Sequence, residues 1–179
     1  YLVFDTETNG IGDFRPPTQT LTQLAFIQFD RDGTILNSSC DIIKGATAVK
    51  NHPSVTISLE RIKNEGIDDK IAIEKFLSCI DENTVLVCHN YEFDSSLINK
   101  CLEKYGLELP LCRYFCTMKF STNYCKILST GEGASYSKYK YPKLEELASK
   151  LEIPMEPAKF HDALYDCEIT MQCFLKGRK

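Results

Sequence analysis

Residues 1–10 read YLVFDTETNG, and this stretch decides the fold. Residues 1–6 are apolar and β-prone, and Asn9-Gly10 breaks the run, the pattern of a buried strand ending in a tight loop. Side chains alternate along a strand, so Asp5 and Glu7 point to one face of the sheet. Two carboxylates about 5 Å apart in an effective dielectric of about 20 repel by roughly 3 kcal/mol. A divalent cation between them removes that repulsion, because carboxylate oxygens are the ligands Mg²⁺ and Mn²⁺ favour. Taken alone, Asp-Thr-Glu favours a strand running into solvent with ordinary exposed acids.

Downstream, LTQLAFIQF (21–29) reads as a second strand and TILNSSCDII (34–43) as a third, with Asp32-Gly33 as the hairpin turn between them. Helical spacing is expected over 56–65 and 69–81. TVLVCH (84–89) is a short apolar strand, and Phe93, Leu97, Ile98 and Leu102 form a helical stripe within 91–105. A strand near 112–116, an amphipathic helix at 143–152 and a last helix from about His161 to Leu175 complete the chain. Strands first, then helices alternating with strands, predict an α/β fold with helices packed on a mixed sheet.

At 179 residues the chain is expected to form a single domain, 1–179. Its 25 acidic side chains against 21 Lys plus Arg give a net charge of −4. That balance argues against broad coating of nucleic acid, which needs a basic footprint. It leaves room for an enzyme that grips a few nucleotides through metal ions. No apolar run approaches the roughly 20 residues of a membrane helix, so no membrane partner is expected. The chain opens without Met, which we read as a trimmed start, and no signal peptide is expected. Nine cysteines without a CxxC pair read as buried thiols of an intracellular, reducing compartment, cytoplasm or nucleus. Cys112, Cys116 and Cys125 fit no zinc-finger spacing.

Two further segments carry acids. In HNYEFD, Asn90 is expected to cap the helix that follows strand 84–89, which places Asp94 near the first turn, where the helix dipole favours a carboxylate. In KFHDALYDCEIT, His161 stands at or just before the last helix, with Asp162 and Asp166 inside it. These two acids are i,i+4 on one face, so geometry admits either as a ligand. A carboxylate near His161 moves it toward the pH range where it exchanges protons.

Together these segments resemble the DEDDh group of the DnaQ-like 3′–5′ exonucleases, which includes replicase proofreading subunits, oligoribonuclease and RNase T. The DxE motif is Asp5-Thr6-Glu7, HNxxFD is His89 to Asp94, and HxAxxD is His161 to Asp166. QLAFI (23–27) and PKLEELA (142–148) also resemble family segments. Three motifs in order, each in its expected secondary structure, are a specific signal. The resemblance implies a ribonuclease H-like fold, a five-stranded mixed sheet flanked by helices. It implies that Asp5, Glu7, Asp94 and Asp166 hold two divalent cations, Mg²⁺ or Mn²⁺, with Asp5 bridging them, and it selects Asp166 over Asp162. His161 would take a proton from the attacking water, a role suited to a group with a pKa near 7. Two cations can activate water and neutralise the leaving oxygen in an in-line displacement. The implied activity is 3′–5′ hydrolysis of single-stranded DNA or RNA ends to nucleoside 5′-monophosphates, with a polymerase or replication complex as a partner. A non-catalytic nucleic-acid-binding or polymerase-associated module on the same fold is the alternative.

Carried over as substrate contacts are Thr8, Asn9, Leu24, His89, Asn90 and Phe93. Each has a plainer reading: a turn for Thr8 and Asn9, capping for His89 and Asn90, core for Leu24 and Phe93. Where the family often shows His-Gly-Ile, this chain has Glu65-Gly66-Ile67, a Glu that would repel a phosphate if it faced one. Residues 119–143 hold five Lys against one acid, Glu132, interleaved with Tyr124, Tyr136, Tyr139 and Tyr141. Lys pairs with phosphates and Tyr stacks on bases, so this segment is expected either to touch single-stranded nucleic acid or to be a solvated, disordered loop, which composition alone does not separate.

Overall fold

The computed structural model describes residues 1–10, 19–129 and 138–178. The apolar opening forms β1 (Leu2–Thr8), followed by β2 (Leu21–Phe29) and β3 (Ile35–Ile42). Then come α1 (Leu59–Glu65), α2 (Asp69–Leu77), β4 (Val85–Cys88), α3 (Tyr91–Tyr105), β5 (Arg113–Cys116), α4 (Thr117–Cys125), α5 (Leu144–Lys150), a 3₁₀ turn at Pro157–Lys159 and α6 (Ala163–Gly177). The sheet order is β3-β2-β1-β4-β5. The first three strands pair antiparallel, and β1, β4 and β5 run parallel. This is the ribonuclease H-like, five-stranded mixed sheet with flanking helices that the motifs imply. No described helix is long and apolar enough to cross a membrane.

Alternation along β1 divides the core in two. Leu2 and Phe4 face α2 and α3, in a cluster with Leu24, Phe26, Phe76, Leu97 and Ile98. Val3 faces α6, in a cluster with Ala25, Ile27, Cys167, Met171 and Phe174. By the same alternation Asp5 and Glu7 lie on the α6 side and Thr6 on the α3 side. Both faces of β1 and β2 are covered, which is why β2 reads as an almost continuous apolar run.

Capping sets the helix starts. Ser58 accepts from Arg61 N (3.2 Å), so α1 begins at Leu59 and not at the expected residue 56. The Asp68 side chain accepts from Lys70 N (2.9 Å) and starts α2, which ends at Leu77, short of the expected residue 81. Gly106, at φ 64, closes α3 in the left-handed conformation that glycine tolerates best. The sequence reading has no counterpart of α4. Its segment, TMKFSTNYC, follows β5 without a turn signal, is poor in strong helix formers, and buries only the polar Thr117 and Ser121.

The α2–α3 side of the core rests on stacked rings: Phe76 lies 5.3 Å from Phe4 and 5.9 Å from Phe26 between centroids. Phe76→Ala leaves a cavity under β1 and is expected to cost about 3–5 kcal/mol in urea unfolding. A loss below about 1 kcal/mol would show that this packing does not support the strand.

Candidate active site

The site is built where β1 and β4 end side by side. Their parallel pairing brings the acids of β1 next to the first turn of α3, the region where sheets of this class place their sites. A shift of register between Glu7 and Thr8, where Glu7 opposes Gln23 and Thr8 opposes Leu21, bends the pair at that point.

Asp94 reaches this end from α3 and is 3% exposed. Its Oδ1 accepts from Thr6 N (3.0 Å) and Thr6 Oγ1 (2.5 Å), and its Oδ2 from Cys88 Sγ (3.1 Å). Three of the four lone-pair positions of the carboxylate are thereby filled, and Oδ2 keeps one for another partner. Burial raises Asp94 to about 6, against the pull of its Thr6 and Cys88 bonds.

Helix α6 supplies the other wall. Buried Gln23 accepts from Ala163 N (3.1 Å) and donates to Asp162 Oδ2 (3.4 Å), fixing where the helix starts. Asp162 is not inside the helix, as the sequence reading has it. It is the N-cap, with Oδ1 accepting from Tyr165 N (3.2 Å). Asp166 follows in the first turn, raised to about 7 chiefly by burial. Its Oδ2 accepts from His161 N (3.2 Å), while its buried Oδ1 has no partner among the described residues. His161 precedes the helix in a left-handed conformation, φ 66. Burial lowers its pKa, which favours the neutral ring.

Asp5, Glu7, Asp94, His161 and Asp166 line one cleft of about 470 Å³. Donor atoms of Glu7, His161 and Asp166 lie within 4.8 Å of one another. Asp5 and Asp94 border the same cleft outside that tighter group. Burial raises Asp5 well above the usual carboxylate range, and Asp94, Asp166, Glu7 and Asp162 push it further. Glu7 is raised to about 9 by burial and then by Asp166, Asp94 and Asp162. Among the described residues, the charges that act most strongly on these two groups are all negative. An unpartnered, buried carboxylate oxygen among mutually repelling acids is the donor set that suits a hard divalent cation. A separate apolar groove of about 520 Å³, lined by residues such as Phe120, Tyr124 and Phe174, contains no acid or histidine.

The expected substrate contacts divide. Thr8, His89, Asn90 and Phe93 border the cleft. Leu24 does not: it is 1% exposed and packed in the core, because β2 is covered on both faces. Asn9 is also buried away from the cleft, where its Oδ1 accepts from Thr20 N (2.8 Å) and its Nδ2 donates to Ala48 O (3.2 Å). Asn90 occupies the cap position, but φ 87 turns its side chain out of the capping geometry and it makes no cap bond. His89 spends both ring nitrogens on structure. Nε2 donates to Pro142 O (3.0 Å), and Nδ1 lies 2.9 Å from Thr117 Oγ1 and accepts from it. Burial lowers His89 to about 4, so the ring is neutral near pH 7. Glu65 does not line the cleft and binds Arg61 (Arg61 Nη2 to Oε2, 2.9 Å). The nine cysteines are free, and among the described residues none joins a metal-ligand group.

The family model described as Exonuclease, of RNase T type, matches residues 2–174. The chain belongs to this exonuclease family. The DNA polymerase III PolC-type of Streptococcus sanguinis is 28% identical over 175 residues, 95% of this chain and 10% of that protein. A phage 186 protein named uncharacterized exonuclease CP81 is 27% identical, over 95% of this chain and 84% of its own. The exonuclease domain thus spans about a tenth of the PolC-type relatives it matches. Among solved structures, E. coli exonuclease I in complex with a dT13 oligonucleotide superposes with a TM-score of 0.72 at 14% identity, covering 97% of this chain and 40% of that one. Cell-death related nuclease 4 superposes with a TM-score of 0.71 at 16% identity, covering 98% and 62%. These likenesses place the fold among exonucleases.

Sequence reasoning missed three residues that hold the site: Thr6, Cys88 and Gln23. Each is a plain strand residue, and only the partner across the fold marks it.

The pKa directions fix the metal-free pH dependence. Asp166 rises from 3.8 to about 7 on folding, so between those values the folded protein holds a proton that the unfolded chain has released. The contribution of Asp166 to stability is therefore full below pH 3.8 and is lost between 3.8 and about 7, with a slope of about 1.4 kcal/mol per pH unit for each such proton. Melting in EDTA should show this decline, and Mg²⁺ or Mn²⁺ should offset it by binding the folded state. Asp166→Asn is expected to flatten the slope and shrink the metal-induced rise in Tm. An equal rise in the variant would mean that the cation binds elsewhere.

Proposed function

We propose that the protein is a divalent-cation-dependent 3′–5′ exonuclease that removes nucleoside 5′-monophosphates from single-stranded DNA or RNA ends. The observation that carries this reading is the cleft itself. Four carboxylates, one with an unpartnered buried oxygen, meet a histidine at the end of the sheet. The family match and the oligonucleotide-bound fold neighbour support nucleic acid as the substrate. The PolC-type relatives support a polymerase or replication complex as a partner.

Asp5, Glu7, Asp94 and Asp166 would hold two cations, Mg²⁺ or Mn²⁺. When bound, such ions act as Lewis acids that activate water and neutralise charge on the leaving 3′ oxygen. The chain's own groups do the rest. His161, kept neutral by burial, accepts the proton of the attacking water on a ring nitrogen. The Asp166 carboxylate holds the His161 backbone through Oδ2 and leaves Oδ1 free for a cation. Thr6 orients Asp94 through two donors, so that its remaining lone pair is aimed by the fold and not by chance.

The Lys/Tyr-rich segment narrows to two residues at the cleft, Tyr141 and Lys143, both exposed. Lys119 is paired with Glu92, Lys140 with Glu146 (2.7 Å), and Lys138 lies over the Tyr139 ring (5.4 Å). Tyr136 and residues 130–137 lie outside the described residues. In this reading Lys143 meets a phosphate and Tyr141 stacks on a base.

A 3′-labelled single strand incubated with Mn²⁺ should release mononucleotides, and Asp5→Ala should abolish release. His161→Gln should lower kcat by about 10²–10⁴ while retaining the Mn²⁺-induced rise in Tm. A protein that binds the strand and never shortens it with any metal would be a non-catalytic module on this fold. Loss of the Mn²⁺ effect in His161→Gln would make the histidine a ligand.

Tyr141→Ala should raise KM on a short oligonucleotide by about 5- to 100-fold, the worth of one stacked base. Lys143→Ala should raise KM and reduce the slope of log KM against log salt by about 0.7. Unchanged KM in both variants would place the strand elsewhere.

A further inference from the structure

We infer that Thr56 is a positioning residue for His161, an inference that rests on the reading of His161 as the base. Ser54 and Val55 line the cleft, and Thr56 follows them. Its hydroxyl donates a hydrogen bond to the His161 carbonyl across 105 residues of sequence. On the other side of the same Cα, His161 N donates to Asp166 Oδ2 (3.2 Å).

The two bonds act on a backbone in an uncommon conformation. His161 has φ 66, a left-handed conformation that side chains with a Cβ adopt rarely and keep only when their surroundings impose it. The N–H bond orients the peptide plane before the Cα, and the carbonyl bond orients the plane after it. Together they set the Cα–Cβ direction and so the arc on which the imidazole lies. Among the described residues the ring makes no hydrogen bond, so the backbone clamp carries its aim, with one ring nitrogen in the group that includes Glu7 and Asp166 donor atoms. Gln23 separately fixes Asp162 and Ala163, so removing the Thr56 hydroxyl leaves the start of α6 in place. What it frees is the His161–Asp162 peptide. A base displaced by about 1 Å from its water can lose about two orders of magnitude in rate.

The test uses the whole chain, with kcat and KM on a 3′-labelled single strand and with the Mn²⁺-induced rise in Tm. Thr56→Val, close in shape but without the donor, should lower kcat about 10- to 100-fold, with KM within about 2-fold of the parent and the Mn²⁺ effect retained. Thr56→Ser restores the hydroxyl and should recover kcat to within about 3-fold. Added to His161→Gln, Thr56→Val should change nothing further, because two residues acting through one group are not additive. A parental kcat in Thr56→Val would overturn the inference. So would a loss that Ser does not recover, a loss accompanied by a reduced Mn²⁺ effect, or an additive loss in the double variant. Full activity in His161→Gln alone would instead remove the underlying reading of the base.

Discussion

Carboxylates repel, and this fold holds four of them at one end of its sheet, where among the described residues the charges acting most strongly on Asp5 and Glu7 are all acidic. Three long-range constraints keep them there. The parallel pairing of β1 and β4 sets the two strand ends side by side. Thr6 binds Asp94 through its amide and its hydroxyl, so α3 cannot retreat without leaving a buried carboxylate short of donors. Gln23 binds the first residues of α6 and stations Asp166 over the same strand end. The repulsion is borne by the apolar packing beneath it, two clusters on opposite faces of the sheet.

The same arrangement separates tasks by face. Asp5 and Glu7 look toward α6, while the residue between them looks toward α3. Alternation alone therefore lets one strand present two acids and anchor a third. A strand with Asp and Glu at consecutive positions would send one of them into the opposite core. The left-handed backbone at His161 belongs to this logic as well. A helical residue there would continue α6, whereas a turned one faces the cleft beside the acids. Among the described residues, the lysine that borders the opening is Lys143, which is exposed.

Much of this was legible in periodicity and punctuation. The apolar run 21–29 corresponds to β2, and the stripe of Phe93, Leu97, Ile98 and Leu102 to α3. Such signals are local, because a pattern of burial repeats with the period of the element that creates it. Helix ends were less legible: Ser58 and Asp68 cap α1 and α2 inside the expected spans. Helix α4 was not legible at all, since a short helix that buries Thr117 and Ser121 carries no apolar stripe. The motif HxAxxD marked His161 and Asp166, but helical spacing misplaced Asp162, whose side chain is spent on the cap. Leu24 was carried over as a contact although a strand leucine more often packs in the core, and burial on both faces of β2 decides for core.

The residue types and their order determined the five strands and most of the helices, the sheet class and the identity of the acids and the histidine that share the cleft. Which oxygen of Asp166 is left without a partner, which way His161 turns, and that Thr6, Gln23 and Thr56 hold those groups were decided only by the tertiary structure. The reason is physical. Periodicity records interactions a few residues apart, whereas these bonds join atoms separated by 88 to 140 residues. They exist only after the sheet has closed.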